Sequence, residues 1–140
     1  MISGQDLLDL AGHLVANTAF RSPETRYRSA ISRAYYGAYH LAVQFLSEVG
    51  KTVPGGPQGH EVAYRLLYAA TIPPARDAAH NLNELRGVRN RADYRLSQRG
   101  MDSLANARDK VQMALLVKSK LDECRIAANR AQIEATLGKA

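Results

Sequence analysis

The sequence predicts an all-α protein, arranged as an antiparallel up-and-down bundle of four to five helices. Apolar residues recur at spacings of three and four along most of the 140 residues, which is the period of an amphipathic helix. No segment alternates apolar and polar residues over six positions between turn signals, as a half-buried strand would. The connections between predicted helices are short, which favours antiparallel neighbours. A chain of this length is expected to form one domain, residues 1–140, with its own core.

The first two predicted helices cover residues 3–18 and 22–49. Ser3 is the expected N-cap of the first helix. Its apolar face is formed by Leu7, Ala11, Leu14 and Val15. The second helix begins at Ser22-Pro23, because a capping residue followed by proline is a typical helix start.

Residues 50–59, GKTVPGGPQG, form a predicted loop because they hold four of the ten glycines and two of the five prolines. Further helices are expected over residues 60–70 and 74–96. Gly87 lies inside the second of these and predicts either close packing or a local bend. The last helix starts after residue 100. Its apolar stripe is Ala107, Val111, Ala114, Val117, Leu121, Cys124 and Ala128. Its alanine-rich far end is expected to fray or to lie on a second subunit.

The net charge of +6 and the pI of about 9.7 favour polyanionic partners, because Lys and Arg lower the cost of approaching phosphates. Scattered charge also serves solubility, so composition alone leaves both explanations open. A membrane span needs a run of about eighteen apolar residues, and the sequence has none. A signal peptide has basic residues before its apolar region, and here no basic residue precedes the first apolar positions. We therefore expect a soluble cytoplasmic protein without a membrane partner. Cys124, the single cysteine, is expected to serve packing.

The second predicted helix carries RYRSAISRAYYGAYHLA, residues 26–42, with four of the seven tyrosines. One stripe of this helix carries mostly small side chains, which allow another helix to come close. It consists of Ala30, Ala34, Gly37 and Leu41. On an adjacent stripe, Arg33, Tyr36 and His40 follow at spacings of three and four. This second stripe either forms the polar wall of a pocket or packs its rings in the core while its polar groups reach solvent.

The fourth predicted helix contains LRGVRNRADY, residues 85–94. Arg86, Arg89 and Asp93 share one face by spacing, and Asn90 shares a neighbouring face with Tyr94. Arg89 and Asp93 are spaced for a surface ion pair. A guanidinium beside an amide also suits a phosphate and a nucleobase edge. Spacing alone does not separate these two interpretations.

The remaining polar candidates indicate no metal or cofactor site. His13, His60 and His80 share no metal-ligand spacing with each other or with a carboxylate pair. Residues 55–59, GGPQG, lack the lysine and hydroxyl residue of a phosphate-binding P-loop. We therefore expect no metal and no cofactor.

Together and in this order, SRAYYGAYHLA and LRGVRNRADY resemble the HEPN family of small helical prokaryotic domains, over about residues 5–125. The resemblance implies a bundle of four to five helices that commonly forms homodimers. It implies a metal-independent ribonuclease in a toxin–antitoxin or defence context, or a protein that accompanies a small nucleotidyltransferase. Active members carry Arg-polar-x-x-x-His, and two copies of this motif meet across the dimer.

Arg89 and Asn90 match the first two positions of this motif, whereas Tyr94 occupies the position of the histidine. An unperturbed tyrosine is only about one part in a thousand ionised at pH 7, which makes it a poor base. His40 is a substitute base if the second and fourth helices pack together. The expected catalytic candidates are Arg89, Asn90, Tyr94 and His40, and the expected RNA- or nucleotide-binding candidates are Arg86, Arg33, Tyr36 and Asp93.

We expect a HEPN-like protein that binds RNA or nucleotide at a dimer cleft, with weak or no ribonuclease activity. The alternative is a non-catalytic interaction module that partners a nucleotidyltransferase, in which the same residues form a structural polar cluster. A DNA-binding helical protein is less favoured, because no short helix-turn-helix with a recognition helix is evident.

Overall fold

The computed structural model describes residues 2–16, 22–95 and 103–138. This part of the chain contains six α-helices and no strand, which confirms the all-α prediction. The helices are α1 (Gly4–Ala16), α2 (Pro23–Glu48), α3 (Pro57–Ala69), α4 (Pro73–Tyr94), α5 (Leu104–Cys124) and α6 (Ala127–Leu137). The expected ends of two helices, residues 17–18 and residue 96, lie outside the described residues. None of the described helices has the length and apolarity that crossing a membrane requires.

Helix starts follow their capping residues. The Ser22 hydroxyl accepts a hydrogen bond from the Thr25 backbone N–H, and Pro23 opens α2. Helix α3 starts three residues earlier than the sequence indicated. Its N-cap, Gly56, has a φ of 79°, which glycine adopts without strain, and the chain turns there directly into Pro57. This early start places His60 in the first turn of α3.

Neighbouring long helices run antiparallel. Arg28 near the start of α2 donates hydrogen bonds to the Ala92 and Arg95 carbonyl oxygens at the end of α4, both at 3.1 Å. The ion pairs Lys110–Glu84 and Lys120–Asp77 run in opposite sequence order along α5 and α4. The loop after α2 returns the chain to the middle of that helix, where α3 begins beside Tyr35 and Tyr39.

Helix α1 crosses α2 at two glycines. A Cβ atom on Gly37 would lie 2.9 Å from the Gly4 carbonyl oxygen and 2.7 Å from Leu8 Cδ2. Ala30 and Ala34, on the same stripe, are fully buried. The predicted small-residue stripe is therefore the surface on which another helix packs.

The last predicted helix is two helices. It breaks at Arg125 and Ile126, and α6 packs back onto α5 and α3. Ile133 and Leu137, at helical spacing on α6, are buried in the core. The expectation that this end frays is therefore wrong, because these two side chains bury themselves on their own chain. A contact of this end with a second subunit stays a prediction. Because of the break, Ala128 is exposed, although the sequence placed it on the buried stripe.

Gly37→Ala is expected to destabilise the fold by about 1–3 kcal/mol, because the backbone of α1 blocks the added methyl group. Gly12→Ala is the matched control on α1: its Cβ would meet nothing within 4 Å, so better helix propensity should add about 0.5–1 kcal/mol. Urea unfolding of both variants measures these changes. Equal effects at the two positions would contradict the crossing.

Candidate functional site

A groove of about 720 Å³ lies between α2, the start of α3 with its preceding loop, and α4. Six of the eight predicted site residues line it: Tyr36, His40, Arg86, Arg89, Asn90 and Tyr94. Tyr39, Val43, His60, residues 53–56 of the loop and Pro57 at the start of α3 complete the lining. The groove is within the size range of small-molecule sites, which is roughly 300–1,000 Å³.

Two predicted residues, Arg33 and Asp93, do not line the groove. Arg33 is exposed on α2. The Asp93 carboxylate faces inward, where it pairs with Arg89 Nε at 2.9 Å and accepts a hydrogen bond from the Ser32 hydroxyl at 3.2 Å. Asp93 therefore holds the arginine in place rather than facing a ligand.

Arg89 is the centre of a network that joins α2 to α4. Besides the Asp93 ion pair, its Nη1 donates to Asn90 Oδ1 at 2.8 Å and its Nη2 donates to the Tyr36 hydroxyl. Its guanidinium carbon lies 4.7 Å from the centre of the Tyr36 ring and 5.6 Å from that of Tyr94. The side chain is only 13% exposed. The Arg89–Asp93 ion pair that the spacing allowed is formed, but within a network instead of on a solvated surface.

Arg86 is the more accessible cation of the groove. Its side chain is 32% exposed, and its Nη1 lies 3.9 Å from a carboxylate oxygen of the exposed Glu61. An exposed pair at this distance contributes roughly 0–1 kcal/mol. An incoming anion can therefore compete with Glu61 for Arg86 at little cost.

His60 is held by two tyrosines of α2. Its Nδ1 hydrogen-bonds with the Tyr35 hydroxyl, and its ring stacks on Tyr39 with centroids 4.3 Å apart. Partial burial lowers the pKa of His60 below 6.5, and the positive charges of Arg86 and Arg89 and the nearby His40 lower it further. Burial raises the pKa of Tyr35, so that phenol stays neutral. His60 is therefore a neutral imidazole at pH 7.

His60 was considered from the sequence only as a possible metal ligand, and its place in the groove was not predicted. Its place depends on the fold of the loop, which spacing along one helix does not reveal. The available signal was Gly56-Pro57, a helix start that puts His60 in a first turn. His40, the predicted substitute base, lies at the exposed edge of the groove, and its ring centroid is 5.5 Å from that of Tyr39.

A glycine allows the loop to close on the groove. A Cβ atom on Gly59 would collide with the Pro54 carbonyl oxygen and the Tyr39 hydroxyl. Only glycine permits the loop, α3 and Tyr39 to come this close.

Asn90 and Tyr94 form a ridge between the groove and a second depression. The second depression, of about 530 Å³, is lined by Gly87, Asn90, Arg91, Tyr94 and Arg95. Tyr94 is 73% exposed. A Cβ atom on Gly87 would meet only Arg91 Nη1, at 3.7 Å, so close packing within the described chain does not explain that glycine. Arg91 and Arg95 continue the positive charge beyond the ridge.

His60 is expected to titrate below 6.5, and Arg86→Met is expected to raise its pKa because one neighbouring positive charge is lost. NMR titration of the imidazole measures both values. A His60 pKa at or above 6.5, or one that Arg86→Met does not change, would contradict this electrostatic description.

The stability of the protein should also depend on this group. Below pH 6.5 the unfolded chain takes up a proton on His60 before the folded protein does, so acidification favours unfolding down to the lowered pKa. Urea unfolding at several pH values should show a smaller loss of stability across this window in His60→Asn. Identical pH dependence in wild type and variant would oppose the prediction.

The described residues contain no group of three or more His, Cys, Asp or Glu side chains placed to hold a metal ion. Comparison of the chain with protein-family models, curated proteins and solved structures finds no match.

Proposed function

We propose that this protein is a HEPN-like protein whose groove binds the phosphate backbone of single-stranded RNA. One observation carries the proposal: the described side chains that line the groove include two arginines, two histidines and an asparagine, and none is Asp or Glu. Such a lining attracts a polyanion and has no lining carboxylate to repel it.

The cationic side chains have different parts in this proposal. Arg86 reaches the phosphate, because the carboxylate that pairs with it, that of Glu61, is exposed and 3.9 Å away. Arg89 is less exposed than Arg86 and adds positive charge to the groove, while its own partners keep it in place. Asn90 Oδ1 accepts a hydrogen bond from Arg89. The amide N–H groups of Asn90 take no part in that bond, and in this proposal they donate to a phosphate or to a base edge.

The aromatic side chains favour a strand of RNA over a free phosphate as the ligand of the groove. Tyr94 presents its exposed ring beside Asn90, and unstacked bases bind such rings. Beyond Tyr94, Arg91 and Arg95 line the second depression. A strand that crosses the ridge therefore meets cations on both sides, which a mononucleotide would not span.

The matching motif residues support the family assignment within this proposal. Arg89, Asn90 and Tyr94 lie together at one groove. In this proposal two copies associate as a homodimer across the open side of that groove, in a toxin–antitoxin or defence context. Sedimentation analysis tests the dimer separately from RNA binding.

A second candidate function is the non-catalytic interaction module. The internal pairing of Arg89 with Asp93, Asn90 and Tyr36 favours it, because an arginine with partners inside its own chain stabilises helix packing without any ligand. A nucleotidyltransferase would then be the partner. This candidate predicts that Arg89→Ala impairs folding or dimer formation in a protein that binds no RNA.

Arg86→Ala is expected to weaken binding of a fluorescein-labelled single-stranded RNA and to reduce the slope of log affinity against log salt by about one. Fluorescence anisotropy over a salt series measures both. Arg108→Ala removes the same charge from an exposed position on α5, a helix that does not line the groove, and is the matched control. Absence of RNA binding at low salt, or equal weakening by the two variants, would refute the proposal. Competition by AMP equal to that by RNA would indicate a nucleotide site instead.

A further inference from the structure

We infer that His60 is a catalytic base which takes the proton of a ribose 2′-hydroxyl and makes the groove a ribonuclease site. This inference rests on the proposed RNA binding. It assigns the base to α3, outside the Arg-Asn-x-x-x-Tyr segment of α4. The last position of that segment, Tyr94, then serves contact with the strand and not proton transfer.

The contacts of His60 make one ring nitrogen available. Its Nδ1 is engaged by the hydroxyl of Tyr35, a side chain that is 1% exposed and cannot turn away without disturbing the core. Stacking on Tyr39 fixes the plane of the imidazole. In the tautomer in which Nδ1 donates to the Tyr35 oxygen, Nε2 carries the lone pair that accepts a proton. The ring lines the groove that the RNA would occupy.

The charges around His60 suit a base. Arg86 and Arg89 lower its pKa and so keep the imidazole in the neutral form that can accept a proton at pH 7. The same cations line the groove and stabilise the additional negative charge of the phosphorane. A single pair of arginines therefore favours both the reactive form of the base and the transition state.

The reaction needs no redox step and no further reactant. As Nε2 of His60 takes the 2′-hydroxyl proton, the 2′-oxygen forms a bond to the adjacent phosphorus, and the bond from phosphorus to the 5′-oxygen breaks. The leaving 5′-oxygen takes a proton from water, and the imidazolium returns its proton to solvent. The products are a 2′,3′-cyclic phosphate and a 5′-hydroxyl end.

The pH dependence of the rate follows from the groups that face His60. These groups are Tyr35, Tyr36, Tyr39 and His40 of α2, and Arg86 and Arg89 of α4. The two arginines stay charged at all relevant pH values. The rate should therefore fall on the acid side as His60 becomes protonated, with a midpoint below 6.5.

The test uses the full chain, EDTA and a fluorescein-labelled single-stranded RNA. Wild type is expected to produce cyclic-phosphate ends, and His60→Asn to reduce the cleavage rate about 10²- to 10⁴-fold, the usual contribution of a general base. Binding of a 2′-O-methyl RNA of the same sequence, which cannot be cleaved, should change far less in the variant than the cleavage rate does. His13→Ala, at an exposed position of α1 outside the groove, should cleave like wild type.

A second variant keeps the inference testable if His60→Asn is poorly folded. Tyr35→Phe retains the buried ring but loses the hydroxyl that orients His60. It should lower kcat with little change in KM, as expected of a positioning residue. Circular dichroism checks the fold of both variants.

Two results would overturn the inference while leaving the proposed function intact. The first is binding of the 2′-O-methyl RNA without any cleavage by wild type. The second is equal cleavage by wild type and folded His60→Asn. If wild type does not bind the 2′-O-methyl RNA, the proposed function and the inference both fail.

Discussion

The structure of the groove depends on the bonding of one arginine, Arg89. Its hydrogen bond to Tyr36 ties α4 to the middle of α2, at a position only 13% exposed. Its ion-pair partner on the same helix, Asp93, accepts a second hydrogen bond from α2, donated by the Ser32 hydroxyl. Arg28 secures the end of α4 to the start of α2. A partly buried cation must keep its partners, because the loss of one leaves its charge uncompensated. The orientation of the Arg86–Tyr94 segment, and hence the wall of the groove, follows from this requirement.

The other wall depends on close approach of backbone and rings. Gly59 lets the loop before α3 meet the Tyr39 hydroxyl, and Tyr39 in turn stacks on His60. Three helices therefore contribute different properties to one surface. Arg89 of α4 fixes the orientation of its helix and adds positive charge. Arg86 of the same helix supplies an accessible cation, and His60 of α3 supplies a neutral imidazole. The Tyr35 hydroxyl of α2, set in the core, keeps that imidazole in one orientation.

Sequence spacing was sufficient for the parts of the site that lie on one helix. Tyr36 and His40 on α2, and Arg86 with Arg89 on α4, share faces because three or four residues make one helical turn. It was insufficient for His60, whose place depends on how residues 49–56 fold. It also failed at the break between α5 and α6, since Arg125 and Ile126 include no glycine or proline to signal a helix end. The start of α2 was predicted, because Ser22 and Pro23 act locally.

We propose that the groove between α2, α3 and α4 holds the phosphate backbone of RNA. A crystal structure of the protein with a short 2′-O-methyl RNA tests this claim most directly. The expected result is a phosphate within hydrogen-bonding distance of Arg86, a base against the ring of Tyr94, and a ribose beside His60. RNA bound to another surface, such as α5 or α6, with the groove unoccupied, would contradict the account.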